Sequence, residues 1–339
     1  MIKSIIPMLL AGLLATPAWS QNEAAANVVP AASDAAASTA DTVLVVGQRP
    51  GPGLWKVSKG DHVLWVFGTY SPLPKQLAWR SQQVEAIIAQ SQAYLLPPTA
   101  EPKVSLLRIV TLLPHAIGVN KLPDGKKLQD VLPAEVYARW LPLKAKYIGV
   151  DEALERERPL FVASKLYSNA LLQSGFVRGF EVDEAIHKIV KANKLKVIAT
   201  KIDIAVNDPA QMIKDFKKSA LDDAQCFALT LERLETDLDA MRVRANAWTK
   251  GDLDVIRTLS FPDRESACDD ALKNSTVVKA QAGFDKVDER MEQAWLAAAE
   301  TALATTRSTF ARLPLKEILD PKGYLWALQK KGYTVESPE

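Results

Sequence analysis

Two strand-like runs open the structured part of this chain, others close it, and helical periods fill nearly everything between. At the front, residues 54–57 and 63–67 are β-prone stretches either side of a Lys59-Gly60-Asp61 turn, the pattern of a hairpin. At the back, residues 309–313 and 333–336 read as strands around a helix at 324–331. A strand leaves backbone groups unpaired until another strand supplies partners. The two ends are therefore expected to meet in a central sheet with many helices packed around it, an α/β or α+β fold.

The middle carries the helices. Ser81 opens one whose apolar positions Val84, Ile87 and Ile88 share a face. Residues 93–96 form a short strand stopped by Pro97-Pro98, since proline lacks the ladder donor. Residues 104–113, 134–147, 160–172 and 182–192 have helical periods, and 196–200 reads as a buried strand. The longest segment, 223–245, spaces Phe227, Leu231, Leu234, Leu238, Met241 and Ala245 by fours and threes, one buried stripe on one helix. A second stripe joins Phe284, Val287, Met291, Trp295 and Ala298.

Ahead of the fold, Lys3 precedes an apolar stretch at residues 5–15, and Ala18-Trp19-Ser20 sets small residues before Gln21. This reads as a signal peptide over residues 1–20, cleaved near Ser20/Gln21, and implies a periplasmic or secreted protein. Residues 21–52 read as a disordered tether, because their first half is Ala, Ser, Asn, Asp and Thr without an apolar period. Within it, residues 42–49 form a β-prone run that resembles the TonB-box segments of outer-membrane receptors; because no receptor barrel follows, an accessory strand or linker is the favoured reading. The folded domain is expected over residues 53–339. No later stretch reaches the ~18 apolar residues that a membrane span needs.

Charge and the scarce residues narrow the chemistry. Lys and Arg number 42 against 40 Asp and Glu, a balance that gives no basic field for nucleic acid. Three histidines (His62, His115, His187) and two cysteines put a conventional His/Cys zinc site nearly out of reach. In an oxidising compartment Cys226 and Cys268 are expected to pair, a cross-link contributing roughly 3–4 kcal/mol in the chain-entropy model. No C-x-x-C spacing supports thioredoxin-like chemistry.

The common nucleotide and hydrolase motifs G-x-x-x-x-G-K-[ST], H-E-x-x-H and G-x-S-x-G are absent. Asp183 and His187, four apart on a helix with Glu181 just ahead, are spaced to face one ligand or metal ion; a capping acid beside a solvated histidine explains the same spacing. Trp55, Trp65 and Trp79 either line a cleft or belong to the core.

Several ordered segments carry a family resemblance. Gly53-Leu54-Trp55-Lys56-Val57, Leu64-Trp65-Val66-Phe67-Gly68-Thr69, Leu73-Pro74 and Trp79 resemble the opening of TraB/GumN (TraB/PrgY/GumN) proteins, relatives of the Tiki metalloproteases. Glu181-Val182-Asp183 with Lys194-Leu195-Lys196-Val197-Ile198 is similar to that family's central helix and strand, and Ala247-Trp248-Thr249-Lys250-Gly251-Asp252-Leu253 to its AW-x-x-GDL segment. Asp288-Glu289-Arg290 and Lys331-Gly332-Tyr333-Thr334-Val335 extend the resemblance to the C-terminus.

The resemblance implies an α/β fold whose active members bind a divalent metal through two G-x-x-H motifs and acidic residues. Here the first motif reads Gly68-Thr69-Tyr70-Ser71, with Ser71 in the histidine's place. The glutamate after the next strand falls at or near Pro97, and that after the central strand at or near Lys201. The second motif reads Pro314-Leu315-Lys316-Glu317, with Pro314 for glycine and Glu317 for histidine. A hydroxyl ligates weakly, proline offers no side-chain donor and an ammonium repels a cation.

The leading expectation is thus a pseudoenzyme: an exported, catalytically degenerate scaffold acting as a binding module in the cell envelope. It would need no cofactor and would take a peptide or envelope ligand, with Trp55, Trp79, Asp183 and Arg290 as binding candidates. The alternative is an active metal-dependent hydrolase with a relocated site, such as Glu317 with His62 or Asp183 with His187, holding a divalent metal. A third reading is a TonB-linked accessory, resting on residues 42–49. If the scaffold reading holds, Ser71, the Pro97 region, Lys201 and Glu317 converge on one cavity, and Lys201 pairs with Glu317.

Overall fold

The computed structural model of the chain describes residues 51–259, 264–281, 284 and 286–338. The expected signal peptide and the TonB-box-like run lie outside them. The expected hairpin forms from β1 (Leu54–Lys59) and β2 (His62–Thr69), with Lys59 opposite His62, so Gly60 and Asp61 make the turn. The other strands are β3 (Leu73–Pro74), β4 (Ala93–Leu95), β5 (Thr99–Pro102), β6 (Phe176–Val177), β7 (Lys196–Ile198), β8 (Lys201–Ile204), β9 (Ser308–Pro314) and β10 (Thr334–Glu336).

Six of these form the central sheet in the order β10-β1-β2-β9-β4-β7. The two ends of the chain meet in it as expected: β1 runs antiparallel to both β10 and β2, and β2 pairs in parallel with β9. The middle of the chain completes it, β4 and β7 continuing the parallel half. Beyond Pro97-Pro98 the β4–β7 pairing resumes as the parallel pair β5–β8, linked by Leu96 N to Ile198 O and Thr99 N to Thr200 O. One reading needs correction. The 196–200 strand is not buried: β7 is the outermost strand, paired on one side only, and Lys196 and Val197 are exposed.

Both faces of the parallel half are covered, which is why β2 and β9 read as near-continuous apolar runs. On one face, Tyr94 of β4 meets His187 of the helix Phe180–Ala192, ring centroids 5.7 Å apart, with the helix Gln82–Gln90 beside it. On the other, the helix Val287–Thr305 lays Trp295, Ala299 and Leu303 against the sheet. Phe284 precedes this helix rather than lying in it.

A second core lies among helices. Ala134–Tyr147, Pro159–Gln173 and Ala224–Thr236 gather Trp140, Leu166, Phe227 and Leu231, with Trp140 and Phe227 edge to face at 5.6 Å. Glu155, a buried carboxylate beside this core, is satisfied by Trp140 Nε1 at 3.2 Å and Lys144 Nζ at 2.7 Å. The Cys226–Cys268 disulfide forms here, tying Ala224–Thr236 to the helix Arg264–Lys273. The single helix expected over 223–245 is instead two, Ala224–Thr236 and Leu238–Lys250, broken at Asp237 (φ −112°, ψ −5°). The break lets one stripe serve two cores: Phe227, Leu231, Leu234 and Met241 pack in the helical core, Ala245 against the sheet. Among the described residues no helix is long and apolar enough to cross a membrane.

Candidate functional site

In an open α/β sheet, ligands sit beyond the carboxyl ends of parallel strands, where backbone and loop residues diverge. Here that edge is formed by Thr69 of β2, Pro314 of β9, Leu95 of β4 and Ile198 of β7, with Thr69 directly opposite Pro314. Ser71, Glu317, the Pro97 region and Lys201 follow these four strand ends in turn. The topology therefore brings the four positions to one edge of the sheet, in spatial order Ser71, Glu317, Pro97, Lys201.

The first motif is held from below and from one side. Gly68 is closely approached: a Cβ there would lie 2.9 Å from Leu315 Cδ1 and 3.0 Å from Trp55 Cζ3, so a side chain would have to displace both. Trp248 Nε1 donates to Gly68 O at 2.8 Å, and Trp79 packs against both Phe67 and Trp248 at 5.8 and 6.2 Å. The AW-x-x-GDL segment thus acts as a prop under the first motif. Trp55 is 3% exposed, a core residue rather than a surface on which a ligand could rest. Beside Ser71, which is exposed, Tyr70 accepts a hydrogen bond from Arg244 Nε at 3.0 Å, and Arg244 also pairs with Asp237. Burial raises the Tyr70 phenol pKa despite that guanidinium.

Glu317 stands on the short helix Leu315–Leu319, half buried, and burial above all holds its carboxyl pKa above the ordinary glutamate value. Lys201 does not pair with it. Its ammonium is taken by Glu101 across the β5–β8 pair, so the expected Lys201–Glu317 contact is replaced by a cross-strand one. Arg290 Nη2 donates to Asp203 O at 3.0 Å, fastening Val287–Thr305 to β8.

The relocated sites do not assemble. His62 begins β2 and bonds Thr306 O at 3.0 Å, whereas Glu317 follows the far end of the parallel neighbour β9. Eight residues of strand separate the two ends, on the order of 20 Å at ~3.3 Å per residue. His187 Nδ1 bonds the backbone carbonyl of Asp183 at 2.8 Å, while the Asp183 carboxylate pairs with Arg312. The two side chains are thus used separately.

Arg312 is the feature sequence reasoning missed. It projects from β9 between Phe310 and Pro314, towards the face that holds Tyr94, Asp183 and His187. Burial pushes the Tyr94 phenol up to about 12, against the pull of the Arg312 guanidinium. Its signal in the sequence is a lone cation inside the apolar strand run Phe310-Ala311-Arg312-Leu313.

The donor set does not fit a divalent metal. The four positions supply a hydroxyl, a proline, an ammonium already paired and one carboxylate, and among the described residues no three His, Cys, Asp or Glu side chains gather as a metal ion requires. A groove of about 460 Å³ lies elsewhere, at the amino ends of β4 and β7, lined by Ala93, Lys196, Ala298 and Thr305 among others.

No curated protein and no solved structure matches the chain significantly. A family model does: the TraB/PrgY/gumN family matches residues 53–337, nearly everything the fold comprises. With the hairpin, the parallel strands and the prop under the first motif in place, the chain belongs to the TraB/PrgY/gumN family.

Proposed function

We propose that this TraB/PrgY/gumN-family chain is a catalytically degenerate scaffold that works as an exported binding module. The observation that carries the reading is the chemistry at the carboxyl edge of the sheet. Where the resemblance places histidines and glutamates, this chain carries Ser71, Pro97, Lys201 and Glu317, and an Arg312–Asp183 ion pair stands on the adjoining face. Without a cluster of imidazoles and carboxylates, no group here lowers the pKa of a bound water. What the edge can do is bind. Ser71 offers a hydroxyl, Glu317 a partly buried carboxyl and Trp79 an aromatic wall, a set suited to hydrogen-bonding and stacking with a peptide. The disulfide and the leader-like residues 1–20 support an oxidising compartment.

Metal analysis of the chain purified after export tests this. The expected result is substoichiometric Mn, Co and Zn and no chelator-sensitive peptidase activity. Stoichiometric metal with activity lost in chelator would overturn the reading. Restoring histidine in the S71H/E317H double variant is expected to leave the protein inactive, because the acidic and orienting partners are missing as well.

A further inference from the structure

On the face of the sheet opposite the Arg312–Asp183 pair, the carboxyl edge is acidic. The helix Val287–Thr305 leads into β9, so its amino end stands at that edge. At 100° per residue, Asp288, Glu292, Trp295 and Ala299 share an arc of about 60°. Trp295 and Ala299 pack against the sheet, and the same stripe carries Glu292 and Asp288 to the edge where Glu317 stands. Tyr324 joins the two sides. It follows Gly323, which abuts the Glu317 carbonyl, and its ring meets Trp295 edge to face with centroids 5.2 Å apart.

Three polar groups on this shelf have no partner in the chain. Among the described residues the carboxylates of Glu292 and Glu317, both half buried, make no hydrogen bond and no ion pair. Tyr324 is 5% exposed, and its hydroxyl has no hydrogen-bond partner either. Burial and then the charges of Glu317, Glu292 and Asp288 raise the phenol pKa, so the hydroxyl faces those carboxylates. Burial above all raises Glu292, with Asp320 and Glu289 adding to it, and burial above all raises Glu317, with Asp320 and Asp288 adding to it against Lys316. The nearby cations are engaged elsewhere or stand in solvent: Lys273 pairs with Asp288, Lys316 Nζ donates to Ser266 Oγ at 3.1 Å, and Lys322 is exposed. Among the described residues no three carboxylates gather as a metal ion requires. Two carboxylates and a phenol beside an aromatic pair suit a guanidinium, whose planar fork donates to both acids while its face lies on a ring.

We propose that the shelf of Glu292, Glu317 and Tyr324 is a subsite for the guanidinium of an arginine side chain in a peptide bound along the carboxyl edge of the sheet. The inference rests on the reading of that edge as a peptide-binding site, and it adds the charge the peptide carries. The guanidinium supplies the counter-charge that the half-buried carboxylates lack, and Tyr324 Oη accepts one of its N–H groups. Ser71, next along the edge, is left for the peptide backbone.

Amide shifts decide it, recorded on the isotope-labelled chain from Gln21 onward as Ac-Ala-Arg-Ala-NH2 is added at low salt. The expected result is saturable shifts centred on residues 288–296 and 315–325, with binding weakened several-fold in 0.5 M salt. The citrulline peptide, which keeps the shape and loses the charge, should bind at least tenfold more weakly. E292Q and E317Q should each weaken binding of the arginine peptide about tenfold, the worth of one charge-assisted contact, and Y324F about threefold. The glutamines keep the side-chain shape, and thermal unfolding that is unchanged or raised verifies that the variants are folded. Absence of saturable shifts, shifts centred elsewhere, or equal binding by the citrulline peptide or by E292Q and E317Q overturns the proposal. Agmatine binding as tightly as the peptide overturns it too, by assigning the shelf to a free guanidinium compound. Metal analysis of the same preparation keeps the two readings apart. A metal-free, inactive chain that ignores the peptide refutes this subsite alone, whereas stoichiometric metal with chelator-sensitive activity refutes the scaffold reading beneath it.

Discussion

The Arg312–Asp183 pair gives the sharpest test of how the carboxyl edge is held. Its two side chains are unequally buried, Arg312 at 12% exposed and Asp183 at 34%, and that asymmetry predicts which single change hurts more. Breaking a fully buried pair costs about 3–5 kcal/mol, and an exposed pair contributes about 0–1, so this one falls between. In D183N the guanidinium stays beneath the helix, beside Tyr94, without a counter-ion; the expected cost is about 2–3 kcal/mol. In R312M the apolar stem is kept and the stranded carboxylate, at the helix edge, turns to water, for about 1 kcal/mol. The double variant should resemble R312M, giving a coupling of about 2–3 kcal/mol, equal to the cost of D183N, in a double-mutant cycle. Urea unfolding with matched m-values reads all four proteins. If the single changes add to within ~0.5 kcal/mol, or R312M proves the costlier, the pair does not organise this edge as argued.

Removing the cross-link in C226A/C268A should cost about 4 kcal/mol by the loop-entropy relation for its 42-residue separation; a loss under about 1 kcal/mol in guanidinium unfolding would show that the helical core holds the two helices together unaided. Asp223, buried at the start of Ala224–Thr236 and accepting from Leu160 N at 2.8 Å, has its carboxyl raised from 3.8 to about 6, chiefly by burial. A raised acid is penalised in its charged form, so the penalty is complete above pH ~6 and is relieved as pH falls towards 4. D223N should therefore be more stable than wild type by roughly 2–3 kcal/mol at pH 7.5, with the gain vanishing below pH 4; equal pH slopes for the two proteins between pH 4 and 6 would contradict this. Gly323 faces the Glu317 carbonyl so closely that a Cβ would strike it, and Asp320 Cβ would be 3.0 Å away. G323A should cost about 2 kcal/mol or more and displace the turn after Glu317, visible as lost amide protection in residues 317–328; unaltered exchange would refute it.

Much of the fold was legible in local pattern. The Lys59-Gly60-Asp61 turn between alternating apolar runs predicts the hairpin, and the periods at 134–147 and 182–192 predict helices that form almost to the residue. What local pattern misread depends on distant partners. The 223–245 stripe is continuous in sequence, yet Asp237 breaks the helix where it meets Arg233 and Arg244. Residues 196–198 are apolar enough for a buried strand, but their place at the edge of the sheet is set by β4 and β9, more than 100 residues away. The short strands β3, β5, β6 and β8 carry two to four residues each, too few for periodicity to register.

By itself the sequence determined the family, the two-ended sheet, the pairing of its two cysteines and the residue types at the four family positions, because each of these is a matter of local order or of composition. Only the tertiary structure decided what those residues touch. It gave Lys201 to Glu101 rather than Glu317, Asp183 to Arg312 rather than His187, and Trp55 to the core. Charges and aromatic faces find partners by proximity in space, and the parallel crossovers that bring β2, β9, β4 and β7 side by side set that proximity across more than 200 residues of chain.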